Sequence, residues 1–288
     1  KSAIVLGGGV IGCEFASVWK SFGSEVTIIE GLPRLVALED ETSSKQLERA
    51  FRKRKIEFEV GSKFQSHTVN ADSVTVNLEN GKSFTAEVLL VAVGRGPVSA
   101  GIGYEEQGIT MDRGYVLVDN KCRTNVPGIW AVGDLIPTLQ LAHVGFQEGI
   151  MVAEEIAGLN PQPINYDGVP RVTYSEPEVA SVGLSTATAK ERGYDVEELS
   201  YDLAGNGKSQ ILKTAGSIKI VQQKGGPVLG IHMVGSRVGE LIGEAQVIYN
   251  WQADAQDVAP YVHAHPTMNE AMGEAFLALA GKPLHAHG

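Results

Sequence analysis

The most constraining stretch of this 288-residue chain is Gly7-Gly8-Gly9-Val10-Ile11-Gly12, a G-x-G-x-x-G run between the apolar segment 2–6 and helical periodicity over residues 10–22. The pattern fits a strand that turns abruptly into a helix. Gly7 permits the tight turn, Gly9 lets backbone approach a pyrophosphate, and Gly12 allows helix and strand to pack closely. The free N–H groups opening the helix, around Val10 and Ile11, then face one point together with the positive end of its dipole, which suits an anion. A second strand over residues 25–30 ends in Glu30. Its carboxylate can accept hydrogen bonds from an adenosine ribose and would repel a 2′-phosphate, so NAD is expected in preference to NADP. Against this, glycine-rich turns occur in folds that bind nothing, Glu30 could be an ordinary strand-end charge, and Arg34 keeps NADP open. Glu14, expected in the first turn of the helix, is accounted for by the dipole alone, which favours an acid there.

The rest of the chain reads as α/β. A basic helix is expected over residues 41–54, strands over 57–60, 64–69 and 73–78, and a turn at Asn80-Gly81 leading into another strand pair. Residues 88–93 are continuously apolar, as befits a strand covered on both faces, and end at Gly94-Arg95-Gly96-Pro97. The expected division is a Rossmann-like NAD-binding domain over residues 1–96, a smaller unit over 97–163 and an α+β domain over 164–288. The small unit should hold short strands at 115–118 and 129–132 and a helix at 144–157. Alternation in 171–174, 179–183, 197–202, 217–222 and 228–234 predicts an antiparallel sheet, with helices at 185–192, 240–251 and 267–280. The last helix stops at Gly281, with Pro283 behind it.

Composition removes several classes. An excess of 34 acidic over 24 basic residues, net charge −10, would repel a phosphate backbone, so no nucleic-acid partner is expected. No apolar run is long enough to cross a bilayer and no cleavable leader is legible, which points away from membranes and towards the cytoplasm. Cys13 and Cys122 form neither a C-x-x-C pair nor a metal cluster; free thiols and no metal site are expected. Lys1 is not an initiator Met and a buried strand follows at once, which suggests that a longer polypeptide precedes it.

Two further segments carry chemistry. Residues 124–134, TNVPGIWAVGD, place Asp134 at the tip of a short apolar strand, where it could face a ligand or simply form a Gly-Asp turn; Leu141-Ala142-His143 follows nearby. In His263-Ala264-His265-Pro266-Thr267-Met268-Asn269-Glu270, Pro266 keeps His265 out of helical geometry. A carboxylate on one ring nitrogen would fix the tautomer of His265 and raise its basicity. The competing account makes Thr267-x-x-Glu270 a capping box, and both can hold together.

Taken in order, GGGVIGCEFASVW with VTIIE, VAVGRGP, TNVPGIWAVGD, LAHVGFQEG and HAHPTMNE resemble the flavoprotein disulfide reductases, the class I pyridine nucleotide-disulfide oxidoreductases, and most closely their dihydrolipoamide-oxidising branch. The resemblance covers nearly the whole chain. It implies NAD at Gly7, Gly9, Val10, Ile11 and Gly12, with Glu30 on the ribose, Glu14 near the nicotinamide, and Gly94 in the cofactor-binding set. It makes residues 97–163 the remnant of an FAD-binding domain, with Asp134 on the ribitol and Leu141, Ala142 and His143 beside the flavin. It makes His265 the acid/base, oriented by Glu270 across a cis His265-Pro266 peptide, and residues 164–288 a dimerisation domain serving a homodimer. The implied partner is dihydrolipoamide on the lipoyl domain of a 2-oxoacid dehydrogenase complex. The family's N-terminal flavin and redox-disulfide segment has no counterpart here, so the chain by itself is expected to lack turnover, and Gly96 stands where a second arginine usually follows Arg95. Glutathione reductase would want cations near Glu30 and mercuric reductase C-terminal cysteines. Outside the class, the chain could be a NAD-binding and dimerising module, or a subunit completed by another chain.

Overall fold

Strand β1 (Ser2–Leu6) runs into helix α1 (Val10–Ser21), followed by β2 (Glu25–Ile29), α2 (Glu41–Lys53), β3 (Ile56–Glu59), β4 (Phe64–Val69), β5 (Val74–Leu78), β6 (Ser83–Ala86) and β7 (Val88–Val91). These are features of a computed structural model that describes residues 1–285. Strands β3-β2-β1-β7 form a parallel sheet in which Leu6 lies opposite both Ile29 and Val91. Successive side chains of β1 point to opposite faces, and both faces are covered. Val5 packs with Cys13 and Ala16 of α1 and with Leu47 and Phe51 of α2, while Ile4 and Leu6 pack with Val76 and Leu78 beneath the antiparallel sheet β4-β5-β6. That two-sided burial accounts for the unbroken apolar run in β1.

The similar run after Val88 behaves differently. It pairs with β1 alone, at the sheet's edge, and Val88 and Val91 are 50% and 60% exposed, so the expectation of a strand covered on both faces is corrected. An apolar run of four residues is compatible with either position.

The segment Gly94–Val169 forms a compact unit of its own; Lys1–Val93 and Pro170–Gly288 together form the other. The smaller unit contains the short pair β8 (Met111–Asp112) and β9 (Tyr115–Val116) and the helix α3 (Ala142–Ile156). Its core gathers Ile109, Val116, Cys122, Ala131, Ile136 and Met151. In place of the strand expected at 129–132, a single bridge joins Arg123 and Trp130. Pro127 supplies no N–H, and the hairpin closes with Thr124 N–H to Ile129 and Ala131 N–H to Cys122 beside that bridge.

The second half of the larger unit comprises β10 (Arg171–Thr173), β11 (Glu178–Gly183), α4 (Thr186–Glu191), β12 (Val196–Asp202), α5 (Gly207–Leu212), β13 (Ser217–Gln223), β14 (Val228–Gly235), α6 (Val238–Asn250), α7 (Ala255–Val258) and α8 (Glu270–Leu279). The strands form an antiparallel sheet in the order β10-β11-β14-β13-β12. Ile218, Ile220, Ile231 and Met233 face Leu241, Ala245 and Ile248 of α6 and Met272, Ala275 and Phe276 of α8. Alternation suggests a second, solvated face, yet Lys219 and His232 on that face are 7% and 1% exposed. They lie against the start of α2, where Lys219 Nζ is 3.1 Å from both carboxylate oxygens of Asp40. No helix among the described residues is long and apolar enough to cross a membrane.

Candidate functional sites: a glycine turn and a histidine–glutamate pair

The first site is built by steric necessity. A Cβ on Gly12 would lie 1.8 Å from the Gly7 carbonyl oxygen, and one on Gly7, whose φ is +110°, would lie 2.2 Å from the Ala92 oxygen. Gly8 is confined less strictly, by the side chains of Leu35 and Glu30. Gly9 is the exception: nothing stands within 4 Å of its Cβ position, and it caps α1 without any side-chain bond. The first N–H groups of a helix have no partner within it. Here they sit beside exposed Gly9, Val10 and Ile11, so a diphosphate could approach the backbone itself.

Glu30, immediately after β2, closes this turn. Its carboxylate accepts the Gly8 N–H at 2.5 Å and the Leu32 N–H at 2.7 Å. Each oxygen keeps a further acceptor site, so a sugar diol can still be bound. Arg34, the residue that left NADP open, donates to the carbonyl oxygens of Glu39 at 2.8 Å and Ala37 at 2.6 Å and to the Ser44 hydroxyl. A guanidinium held that way braces its own loop and is not turned to a phosphate. Glu14 lies in the second turn of α1, and its carboxylate accepts the Tyr174 N–H at 2.8 Å. Expected in the first turn, it therefore owes its place less to the dipole than to a tie with the 174–178 segment. Ser17 and Arg54 reinforce the tie by bonding the N–H and C=O of Glu176 at 2.9 and 2.8 Å.

In the smaller unit Asp134 is exposed in a 3-10 turn, Gly133–Leu135, and Leu141 caps α3 with Ala142 and His143 exposed in its first turn. The Cβ position of Gly145 is 3.3 Å from the Gly133 Cα, so the turn rests on the start of the helix. Gly94 has φ +139°, a conformation only glycine adopts easily. A residue that sequence reasoning missed organises this region. Glu148 is fully buried and accepts the Gly133 N–H at 2.6 Å and the hydroxyls of Thr138 and Tyr166, both at 2.9 Å. The one signal for it in the sequence is an acid in line with Val144 and Met151 on the buried face of α3. Asp134 presents an exposed carboxylate beside the start of α3, and a carboxylate there can accept hydrogen bonds from the hydroxyls of a polyol such as the ribitol of FAD.

The second site lies in the larger unit, on a cavity of about 410 Å³ whose lining includes Tyr201, Asn206, His263, His265, Glu270 and Glu274. His265 Nδ1 is 2.7 Å from Glu270 Oε1. A carboxylate only accepts, so Nδ1 carries the proton and Nε2 is left as the basic nitrogen. The ring is 78% exposed and the acid 27%. Glu270 Oε2 also accepts the Thr267 N–H at 2.8 Å, and the Thr267 hydroxyl donates to the Ala264 oxygen at 2.6 Å. Half of a capping box is thus present alongside the His–Glu bond, and α8 starts at Glu270 rather than at residue 267. Burial works to raise Glu270, but the Thr267 N–H and His265 outweigh it and hold the carboxyl below its usual range. The His265-Pro266 peptide is cis. A second pair, between His263 and Glu244, is not foreseen from sequence: Nε2 and Oε1 are 2.8 Å apart.

Neither cysteine joins these sites as a reactive sulfur. Both are buried and free. Burial first, then Glu30, pushes the Cys13 thiol up to about 12; burial and then Glu148 do the same to Cys122.

Residues 1–149 match the profile of the pyridine nucleotide-disulphide oxidoreductases, and residues 169–276 match the dimerisation domain of the same proteins. The chain belongs to the pyridine nucleotide-disulphide oxidoreductase family. Within it, the chain is 41% identical over 294 residues to the mitochondrial dihydrolipoyl dehydrogenase of Schizosaccharomyces pombe, covering 99% of this chain and 57% of that protein. It is 39% identical over 292 residues to a dihydrolipoyl dehydrogenase of Bacillus subtilis, covering 99% and 62%. Among solved structures, LpdA from Mycobacterium tuberculosis superposes with a TM-score of 0.90 at 26% identity, over 96% of this chain and 61% of that one. The chain therefore spans about six tenths of the length of the relatives it matches.

Proposed function

We propose that this chain provides the NAD-binding and dimerisation portion of an FAD-dependent dihydrolipoamide dehydrogenase. The observation that carries the reading is the His265–Glu270 bond: it leaves Nε2 of an exposed imidazole free to accept a proton from a thiol. The net reaction converts a dithiol and NAD⁺ into a disulfide, NADH and a proton. Bound FAD would supply the two-electron relay between the dithiol and the nicotinamide. Gly7 to Gly12 and Glu30 hold the dinucleotide, and Glu14, fixed by Tyr174, stands along α1 from the phosphate end. Asp134 and the segment from Leu141 to His143 take the flavin side.

The sulfurs that receive electrons from the dithiol must come from elsewhere, because Cys13 and Cys122 are buried thiols held protonated at neutral pH. The matched dimerisation profile supports a homodimer, and in that assembly the His265 ring would serve the partner's disulfide. The dihydrolipoamide would be carried on a lipoyl domain. A cytoplasmic location rests on the sequence alone, and the fission-yeast relative is mitochondrial.

The test joins this chain to the N-terminal portion of the Bacillus subtilis relative and follows dihydrolipoamide-dependent NAD reduction. His265→Gln should slow turnover at least ~100-fold, the usual worth of a positioned acid/base, while flavin absorbance is retained. Undiminished turnover in that variant would remove His265 from the chemistry.

A further inference from the structure

The loop that carries His265 is gripped at both ends by one side chain. Glu244, on α6, places Oε1 2.8 Å from His263 Nε2 and Oε2 2.8 Å from Asn269 Nδ2. His263 lies two residues before His265, and Asn269 directly precedes Glu270. The two oxygens of one carboxylate therefore span the whole turn, including the cis peptide between them.

The fit is tight on the opposite side as well. A Cβ on Gly273, one turn into α8, would stand 2.5 Å from His263 Nδ1. The His263 ring is thus lodged between α6 and α8, and α8 is the helix that presents Glu270. The inner pair is also the shielded one. The His263 side chain is 12% exposed against 78% for His265. An imidazole shielded that far offers little of its ring to the cavity, and a charged pair in a partly buried setting holds its geometry better than one in water.

We propose that Glu244 is a positioning residue: by holding His263 and Asn269 at once, it fixes the loop so that the His265 ring meets Glu270 through Nδ1 in a single orientation. This deepens the reading of His265 as the acid/base and rests on it for its purpose, but not for its measurement. Without Glu244 the loop ends separate, and the 2.7 Å bond between His265 and Glu270 becomes one of several arrangements. The His265 proton then exchanges between the two ring nitrogens.

Long-range proton–nitrogen NMR of the imidazoles in this chain reads the tautomer directly, with no turnover required. In the unaltered chain His265 should show the distinct nitrogen signals of an Nδ1–H ring. Glu244→Ala should collapse them towards a common averaged position while far-UV circular dichroism reports an intact fold. Gly273→Ala removes no polar group, yet displaces the His263 ring, and should cause the same loss. Glu244→Gln, which keeps one acceptor oxygen, should fall between. If Glu244→Ala fails to fold, the Gln and Gly273 variants carry the test. A fixed Nδ1–H signature for His265 in folded Gly273→Ala and Glu244→Gln chains overturns the proposal. The acid/base reading fails by a different result, unchanged turnover in His265→Gln, so the two failures are distinguishable.

Discussion

Glu30 accepts the Gly8 N–H at 2.5 Å, so the acid that ends β2 is joined directly to the glycine turn that ends β1. The turn and the carboxylate proposed to bind the sugar are therefore tied together. A hydrogen bond to a charged group contributes about 1.5–3 kcal/mol, and about 1.4 kcal/mol is tenfold in affinity. Glu30→Gln, measured by calorimetry with NAD and NADP, should weaken NAD binding roughly 10- to 100-fold and narrow the preference between the two. Equal NAD affinity in variant and parent would detach Glu30 from the ribose.

The glycines of the same turn should separate by mechanism. Gly12→Ala puts a methyl 1.8 Å from the Gly7 carbonyl oxygen, backbone against backbone, and forces α1 away from β1. Overpacking of this kind costs about 1–3 kcal/mol or more. Gly9→Ala meets nothing within 4 Å and keeps an ordinary φ of −74°, so the fold should be unaffected. Its methyl would still stand where the proposed diphosphate would approach. The expected pattern is a lowered urea midpoint with Gly12→Ala, and an unchanged midpoint with lost NAD binding for Gly9→Ala. Full NAD affinity in Gly9→Ala would place the ligand elsewhere.

This contrast also shows what sequence can and cannot convey. The steric tasks of Gly7 and Gly12 are legible because a strand-turn-helix leaves few places for a side chain, and local spacing alone specifies them. The link between His265 and Glu270 is legible for the same reason, since five residues and a proline confine both. Glu244 and Glu148 are not. Glu244 acts on a loop whose nearest contact is 19 residues away, and Glu148, though in line with Val144 and Met151, gives no hint in sequence of the Gly133, Thr138 and Tyr166 groups it accepts from. The polar face of β13 and β14 misleads for a related reason: alternation reports two kinds of neighbour, and says nothing of whether the polar kind is water or a buried partner such as Asp40.

That buried partner yields a stability prediction. Lys219 and Asp40 have side chains 8% and 3% exposed, and Glu198 Oε2 stands 3.2 Å from the same ammonium. Burial works to raise Asp40, but His232 and Lys219 overcome it and hold the carboxyl below its usual range. Removing one partner of a buried pair strands the other charge, at about 3–5 kcal/mol. Lys219→Met should lower unfolding stability by that order, and adding Asp40→Asn should recover much of it. A double variant no more stable than the single would show that the pair's charge is not what matters.

The inner histidine pair predicts a loss of stability on the alkaline side. The bond to Glu244, opposed by burial, holds His263 above the ordinary imidazole value of about 6.5. A group raised on folding adds stability that is complete below its unfolded value and fades as pH climbs through its folded one. The melting temperature should therefore fall as pH rises from about 6.5 past the folded value of His263, because the deprotonated ring no longer meets the Glu244 carboxylate as a cation. His263→Gln retains a donor but cannot titrate, and should flatten this part of the profile. Calorimetric melts of both proteins from mildly acidic to alkaline buffer would decide it, since an unaltered slope in the variant would assign the pH dependence to another group.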